Sequence, residues 1–287
     1  GSFEAGYFAA SLRIEKEMKT KEKIPASVNV LGLSTVHMKG REDAEEIRRL
    51  LSLCGIRVIS MPGGGSNWDD IMDAPSASLN IVVRDELGLS LAKQMERDFG
   101  TPYMSSGLPY GTDGTMTWLS EIIEKLGAGE LTRASHEAAK LKEFLLRKGN
   151  NLESLWGPLW FDAVLISAPP SEALGIAEAI RSEWIDTARL CIHAQCETEK
   201  STPAADAIRV VMKNEKEIAK DYEDWQGGLV LSSSHETHLL RRMGRSFTGF
   251  HIALPSHDEV HFSDLPQCGL RGAGYLYEQL WNAKLRK

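Results

Sequence analysis

The 287-residue sequence predicts an α/β protein built from two Rossmann-like doubly wound parallel-sheet domains with an interdomain cleft. Three observations carry that expectation. Short β-branched runs alternate with amphipathic stretches, first from Ser27 to Ser106 and again from Phe161 onward, which is the rhythm of strand–helix–strand units. Runs such as LNIVV, residues 79–83, are almost continuously apolar, as parallel strands covered on both faces must be. Gly55 and Gly100 stand where helices should end, because glycine tolerates the left-handed conformation of a C-cap.

Residues 1–27 form a lead-in, and residues 28–127 a first Rossmann-like domain. In the latter, SVNVLGLS, IRVISM, LNIVV and TPYMSS read as strands. EDAEEIRRLLSLCG and GLSLAKQMERDFG read as helices, NWDDIMDA as a short one, and a helix from near Gly111 to about Leu126 closes the unit. Residues 128–157 form a helical connector, whose helical period is expected to stop at Gly149–Asn150 before the texture changes at NLESLWGPLW. Residues 158–287 form the second Rossmann-like domain. FDAVLISA, ARLCIHA, IRVVM, GGLVLSS and FTGFHIAL are its strands. SEALGIAEAIRSEW, a polar helix near Glu215–Trp225, HETHLLRRMG and the C-terminal GAGYLYEQLWNAKL are its helices. In such sheets ligands gather outside the carboxyl ends of the strands.

Composition removes several function classes. With 42% hydrophobic residues, a chain of this length buries about three quarters of its unfolded surface. The net charge of -7 argues against a nucleic-acid partner, since phosphate neutralisation needs a basic face. No apolar run is long enough to cross a bilayer, so no membrane partner is expected. Four cysteines and no signal-like leader point to a reducing cytoplasm.

Four loops could carry chemistry. In PGGGSNW, Gly63, Gly64, Gly65 and Ser66 follow a strand; backbone can approach a cofactor there, or the glycines simply make a turn. The loop has neither the Lys-Ser/Thr of a P-loop nor the spacing of a dinucleotide fingerprint. Ser233, Ser234 and His235, with Ser232 and His238 beside them, gather at a strand end where a helix begins. They suit an anion or cofactor contact, or plain capping. ALPSHDEVHFSDLPQCG holds His257, Asp258, His261 and Asp264. These offer acid–base work, with His257 and His261 as candidate catalytic groups, or metal binding, or solvated turn residues. CIHAQC, with Cys191, His193 and Cys196, lacks the second pair that a zinc clip needs, so no metal ligand is assigned. Cys54 reads as a buried helix residue, and no GxSxG elbow occurs.

Taken together, SVNVLGLS, EIRRLLSLCGIRVISMPGGGSNWDDIMDAPSASLNIVV, GLSLAKQMERDFGTPYM, GGLVLSSSHETHLLRRMG and ALPSHDEVHFSDLPQCGLRGAGYLYEQLWNA resemble, in that order, component 1 of the nitrogenase family. That family includes the molybdenum-iron protein α and β subunits, their cofactor-assembly relatives and dark-operative protochlorophyllide reductase. SFEAGYFAASLRI looks like the segment by which such chains leave their first domain. The resemblance implies Rossmann-like domains around an iron-sulfur cluster, another metallocofactor or a tetrapyrrole. It also implies a homo- or hetero-oligomer with a component 1-type subunit, and an ATP-dependent iron protein as electron donor.

Departures accompany it. The family's cluster cysteines lie in a first domain upstream of the matched region. Where the α subunit has a cofactor cysteine this sequence has Arg84, here a candidate cofactor contact, and Pro169 and Pro170 stand where an arginine is expected. Counting back from Gly272 and Gly274 puts His261 at the α subunit's cofactor histidine. Matching ALPSHD to the β-type Phe-Pro-x-x-Asp run needs no gap and leaves His261 without a role. The expectation is a nitrogenase component 1-like oxidoreductase subunit. The alternatives are a non-catalytic metallocofactor scaffold or carrier, and a nucleotide-sugar glycosyltransferase with paired Rossmann domains.

Overall fold

The computed structural model describes residues 2–196, 200–210, 219–220, 222–223, 225 and 227–286. Two separate sheets are present, each wholly parallel. The first has the order β2-β1-β3-β4, built from β1 (Ile24–Leu31), β2 (Arg57–Ser60), β3 (Ala77–Val82) and β4 (Tyr103–Ser105). The second has the order β7-β6-β5-β8-β9, built from β5 (Trp160–Ala168), β6 (Asp186–Ala194), β7 (Ala207–Val210), β8 (Leu229–Ser232) and β9 (Thr248–His251).

Helices cross between the strands as the parallel pairing requires. α2 (Gly40–Leu53) joins β1 to β2, and its Ala44, Ile47, Leu50 and Leu51 recur at three- and four-residue spacing to give one buried face. α3 (Trp68–Asp73) starts at Asn67 with a reciprocal capping box to Asp70. α4 (Asp85–Phe99) joins β3 to β4 and stops at Gly100, whose φ of 64° is the expected left-handed cap. α5 (Thr112–Leu126) ends the first unit. In the second domain, α7 (Pro170–Ala179) continues through a wide π turn before β6, and α8 (Ser234–Arg242) joins β8 to β9.

Three features differ from the sequence expectation or go beyond it. The lead-in is a helix, α1 (Phe3–Glu15), which packs on α4. The connector does not stop at Gly149–Asn150: α6 runs unbroken from Thr132 to Trp156. Glycine costs a helix about 1 kcal/mol against alanine, but here it makes room. A Cβ at Gly149 would stand 2.4 Å from the Tyr277 hydroxyl, so packing overrides propensity. The C-terminal helix α9 (Gly269–Leu285) touches α2, α5 and α6 as well as β9, and thereby ties the first unit to the second. One apolar core runs through both, from Val28 to Ala283. The polar helix expected near Glu215–Trp225 falls largely outside the described residues.

Strand order fixes where a site can form. The strand order turns back between β1 and β3 in the first sheet and between β5 and β8 in the second, so each has a crevice at those carboxyl ends. The two crevices meet. Arg84, just after β3, reaches Glu172 in the first turn of α7, just after β5.

Candidate functional site

At the first switch point the chain forms a sealed charge centre. Arg84 is completely buried, and its Nε and Nη2 donate to Glu172 Oε1 at 2.9 and 2.5 Å while Nη1 reaches the Gly32 carbonyl at 3.4 Å. Glu172 is 4% exposed and sits at a helix N-terminus, where the backbone dipole favours a carboxylate. His37 Nδ1 lies 3.6 Å from the same oxygen. Burial, helped by the Arg84 charge and opposed by Glu172, holds His37 below its ordinary range, which keeps the ring neutral. Asp43 faces the same centre. Burial pushes its carboxyl up to about 6, although Arg84 and the amides of Cys268 and Gln267, at 3.0 and 2.7 Å, all act the other way. Tyr110 is buried here and its hydroxyl is pushed well above the usual range. Arg84 therefore lies inside the joint between domains, its guanidinium committed to Glu172.

The glycine-rich loop lies to one side. A Cβ on Gly63 would stand 2.2 Å from the Leu33 carbonyl, and one on Gly64 would stand 2.8 Å from Leu33 Cδ1. Close packing on the β1–α2 loop thus accounts for both glycines. Tyr7 of α1 donates to the carbonyls of Leu33 and Pro62 at 3.0 and 3.1 Å, and burial pushes its hydroxyl up to about 12. Ser66 Oγ accepts from the Met61 amide at 2.8 Å. Gly65 alone of the three meets nothing within 4 Å of its Cβ position.

At the second switch point the serines serve the helix. Ser233 caps α8, accepting from the His235 amide at 3.2 Å and pairing with Glu236 in a capping box. Ser234 donates through both its amide and its hydroxyl to the Pro255 carbonyl, each at 2.8 Å. Beyond them opens a hollow of about 710 Å³, lined by His235, His238, Arg241, Arg242, His257 and Leu239 among others. The rings of His235 and His257 are 6.2 Å apart. This is a solvent-open surface where imidazoles and guanidiniums stand beside the carboxylates of Glu236 and Asp258, the latter paired with Arg241. Gly63–Ser66, Arg84 and His261 are not among its lining residues. A separate groove of about 540 Å³ runs between the domains, bordered by Tyr110, Trp118, Gly175 and Ser182. The sequence candidates therefore do not share one hollow.

His261 is bonded outside that hollow. Its Nε2 lies 3.1 Å from Ser256 Oγ, which is 2.7 Å from Nδ1 of His251. Glu259 Oε2 lies 3.8 Å from His261 Nε2 and 3.9 Å from His251 Nδ1. Burial lowers the His261 proton affinity, with Glu259 opposing and Lys39 and His251 assisting. Asp258 bonds Arg241 at 2.5 Å, which holds its carboxyl low.

An iron-sulfur cluster needs several thiolates converging on one point. Cys54 and Cys268 are buried in the apolar core, with both thiols pushed up by burial, and Cys191 and Cys196 are half-buried at and beyond β6. Among the described residues the one group of three potential donors within 4.8 Å is His251, Glu259 and His261, which contains no thiolate. These residues do not fit such a cluster. Among the described residues no helix is long and apolar enough to cross a membrane.

The geometry defines a paired Rossmann-like α/β protein whose two switch points are joined by a buried ion pair. Residues 1–285 match the model of the nitrogenase component 1 type oxidoreductases, and the chain belongs to that family. It is 25% identical over 297 residues to the B-type subunit of light-independent protochlorophyllide reductase from Prosthecochloris aestuarii (strain DSM 271 / SK 413), covering 97% of this chain and 54% of the relative. The same reductase subunit from Chlorobium phaeobacteroides (strain BS1) is also 25% identical, over 295 residues that cover 94% of this chain and 53% of the relative. The chain thus spans about half the length of the curated relatives it matches. A solved structure titled "Nitrogenase Cp1 at pH 6.5" superposes with a TM-score of 0.73 at 17% identity, covering 100% of this chain and 66% of that one. At that identity the likeness speaks for the fold.

Glu172, Asp43, His251 and Glu259 escaped the sequence reading. Glu172 passes for an ordinary first-turn carboxylate, and Asp43 for one more acid on a charged helix face. The available signal was positional: His251 is the last residue of β9, where strand-end residues of an α/β sheet meet ligands.

Proposed function

We propose that the chain is part of a nitrogenase component 1-like oxidoreductase subunit that shapes the surroundings of a metal centre or tetrapyrrole receiving low-potential electrons. The family match over residues 1–285 carries this reading. Any iron-sulfur cluster would then be ligated by residues of a further domain or a component 1-type partner, a reading supported by the scattered cysteines of this chain. An ATP-dependent iron protein would be the electron donor, and the cytoplasm the compartment.

Within this chain the work falls on the open hollow. His235 and His257 would face the bound group as proton carriers. Ser233 and Ser234 would hold α8, and through it His235, in place. Arg84 would fix the angle between the domains. The tetrapyrrole class is suggested by the names of the similar reductase subunits.

The test is anaerobic co-purification with a component 1-type partner, followed by iron and acid-labile sulfide assay. Turnover is then measured with protochlorophyllide, reduced iron protein and ATP. Expected are a complex that contains iron and sulfide, turnover that needs this chain, and a rate lowered about a hundredfold by His257→Asn, as loss of a general acid implies. Cluster retention without turnover would assign the scaffold reading instead. No complex, together with a rise in Tm on adding a nucleotide sugar, would overturn the redox reading in favour of a glycosyltransferase.

A further inference from the structure

We propose that His251, Glu259 and His261 form a mononuclear site for a divalent first-row transition metal. The donor atoms, His251 Nδ1, Glu259 Oε2 and His261 Nε2, all lie within 4.8 Å of one another, the carboxylate being 3.9 and 3.8 Å from the two ring nitrogens. Metal bonds of about 2.0–2.2 Å place the donors of a tetrahedral shell roughly 3.4 Å apart. Small side-chain rotations therefore close the set. Two imidazoles and one carboxylate suit zinc, cobalt or ferrous iron better than magnesium or calcium, which prefer all-oxygen shells.

The other edge of His251 has the partners that a ligating histidine needs. Nε2 lies 3.3 Å from Thr237 Oγ1 and 3.4 Å from Asp258 Oδ1. The Thr237 hydroxyl already donates its proton to the Ser234 carbonyl at 3.2 Å, so it can only accept from the ring. Asp258 is in turn held by Arg241 at 2.5 Å. A proton on Nε2, shared with the Thr237 hydroxyl and Asp258, would leave the Nδ1 lone pair to the metal, as in carboxylate–histidine–metal triads. Glu259 is anchored as well: Oε2 accepts from the His251 amide at 3.0 Å. Ser256 Oγ stands between the two rings at 2.7 and 3.1 Å and offers a fourth donor, the second oxygen of the set.

The loop itself is built against the hydrophobic rule at this point. Glu259 and His261 turn inward, with side chains 30% and 21% exposed, while the intervening and following residues, Val260 and Phe262, are 74% and 96% exposed. Burying polar groups and exposing an aromatic one costs free energy unless the inward groups have a partner worth keeping. A cation held by both is such a partner. Three protein ligands and a hydroxyl leave room in a larger coordination shell for an exogenous molecule.

The metal site stands apart from the redox reading, since His257 keeps its place in the neighbouring hollow. To test it, chelator-treated protein is titrated anaerobically with Co(II), following the visible d–d bands and Tm, and Zn(II) is then used to displace it. Wild type should bind close to one equivalent and gain thermal stability. His261→Asn and Glu259→Gln should each weaken binding at least about tenfold. Asp258→Asn should weaken it about 10- to 100-fold, as happens when the carboxylate behind a ligating histidine is lost. Circular dichroism of these exposed-loop variants checks folding, and His136→Asn on α6 serves as a control that leaves binding unchanged. Absence of the Co(II) bands in wild type would overturn the site. So would equal binding by the His261 and Glu259 variants when folded.

Discussion

The tips of the two sheets handle charge in opposite ways. At the end of β3, Arg84 and Glu172 are sealed between domains, and the titratable groups beside them are pushed toward their neutral forms: Asp43 upward, His37 downward, Tyr110 upward. Beyond β8 and β9, Arg241 of α8 and Asp258 pair in contact with water, and the imidazoles around them stand in or beside an open hollow. The first arrangement is costly to disturb and poorly placed to exchange protons with a substrate. The second contributes little to stability and is free to do chemistry. Within one chain, burial rather than residue type separates a charge locked into the joint from one left open to solvent.

The largest expected effect breaks the sealed centre. Arg84→Met strands a buried carboxylate and should cost about 3–5 kcal/mol in urea unfolding. Adding Glu172→Leu should recover most of that loss. Arg241→Met, at a pair whose side chains are 58% and 38% exposed, should stay within about 1 kcal/mol. If the two single variants cost the same, burial does not set the two tips apart.

Next comes Asp43. Its folded carboxyl titrates near 6, against an ordinary value of 3.8. Between those values the folded state holds a proton that the unfolded chain has released, so stability falls as pH rises from 3.8 to 6 and is level above. Asp43→Asn should remove that slope, on the order of 2–3 kcal/mol across the window, in Tm measured through the mildly acidic range up to neutrality. A slope unchanged in the variant would mean that Asp43 is ionised throughout. The smallest effect is at the open tip: Ser233→Ala removes the α8 cap and should cost about 1 kcal/mol by denaturant midpoint, while leaving the Arg84 centre intact.

Much of the fold was legible because it rests on local pattern. The strands of both sheets follow from β-branched runs, α2 from the spacing of Ala44, Ile47, Leu50 and Leu51, and the end of α4 from Gly100. Gly149 misled because a glycine that ends a helix and one that admits a neighbouring ring look alike in sequence. The site was legible only as a neighbourhood. Ser233 and Ser234 are accounted for by capping and a latch to Pro255, Gly63 and Gly64 by contact with Leu33, and His257 and His261 face different surroundings although four residues apart.

By itself the sequence determined the α/β class, the pairing of two parallel units and the family, because periodicity and strand-end motifs are properties of short stretches. Only the tertiary structure decided that Arg84 meets Glu172 across 88 positions, that α9 joins the two units, and that Glu259 and His261 converge on His251. Those outcomes depend on which groups lose water together, and desolvation is set by what packs around a residue rather than by its neighbours along the chain.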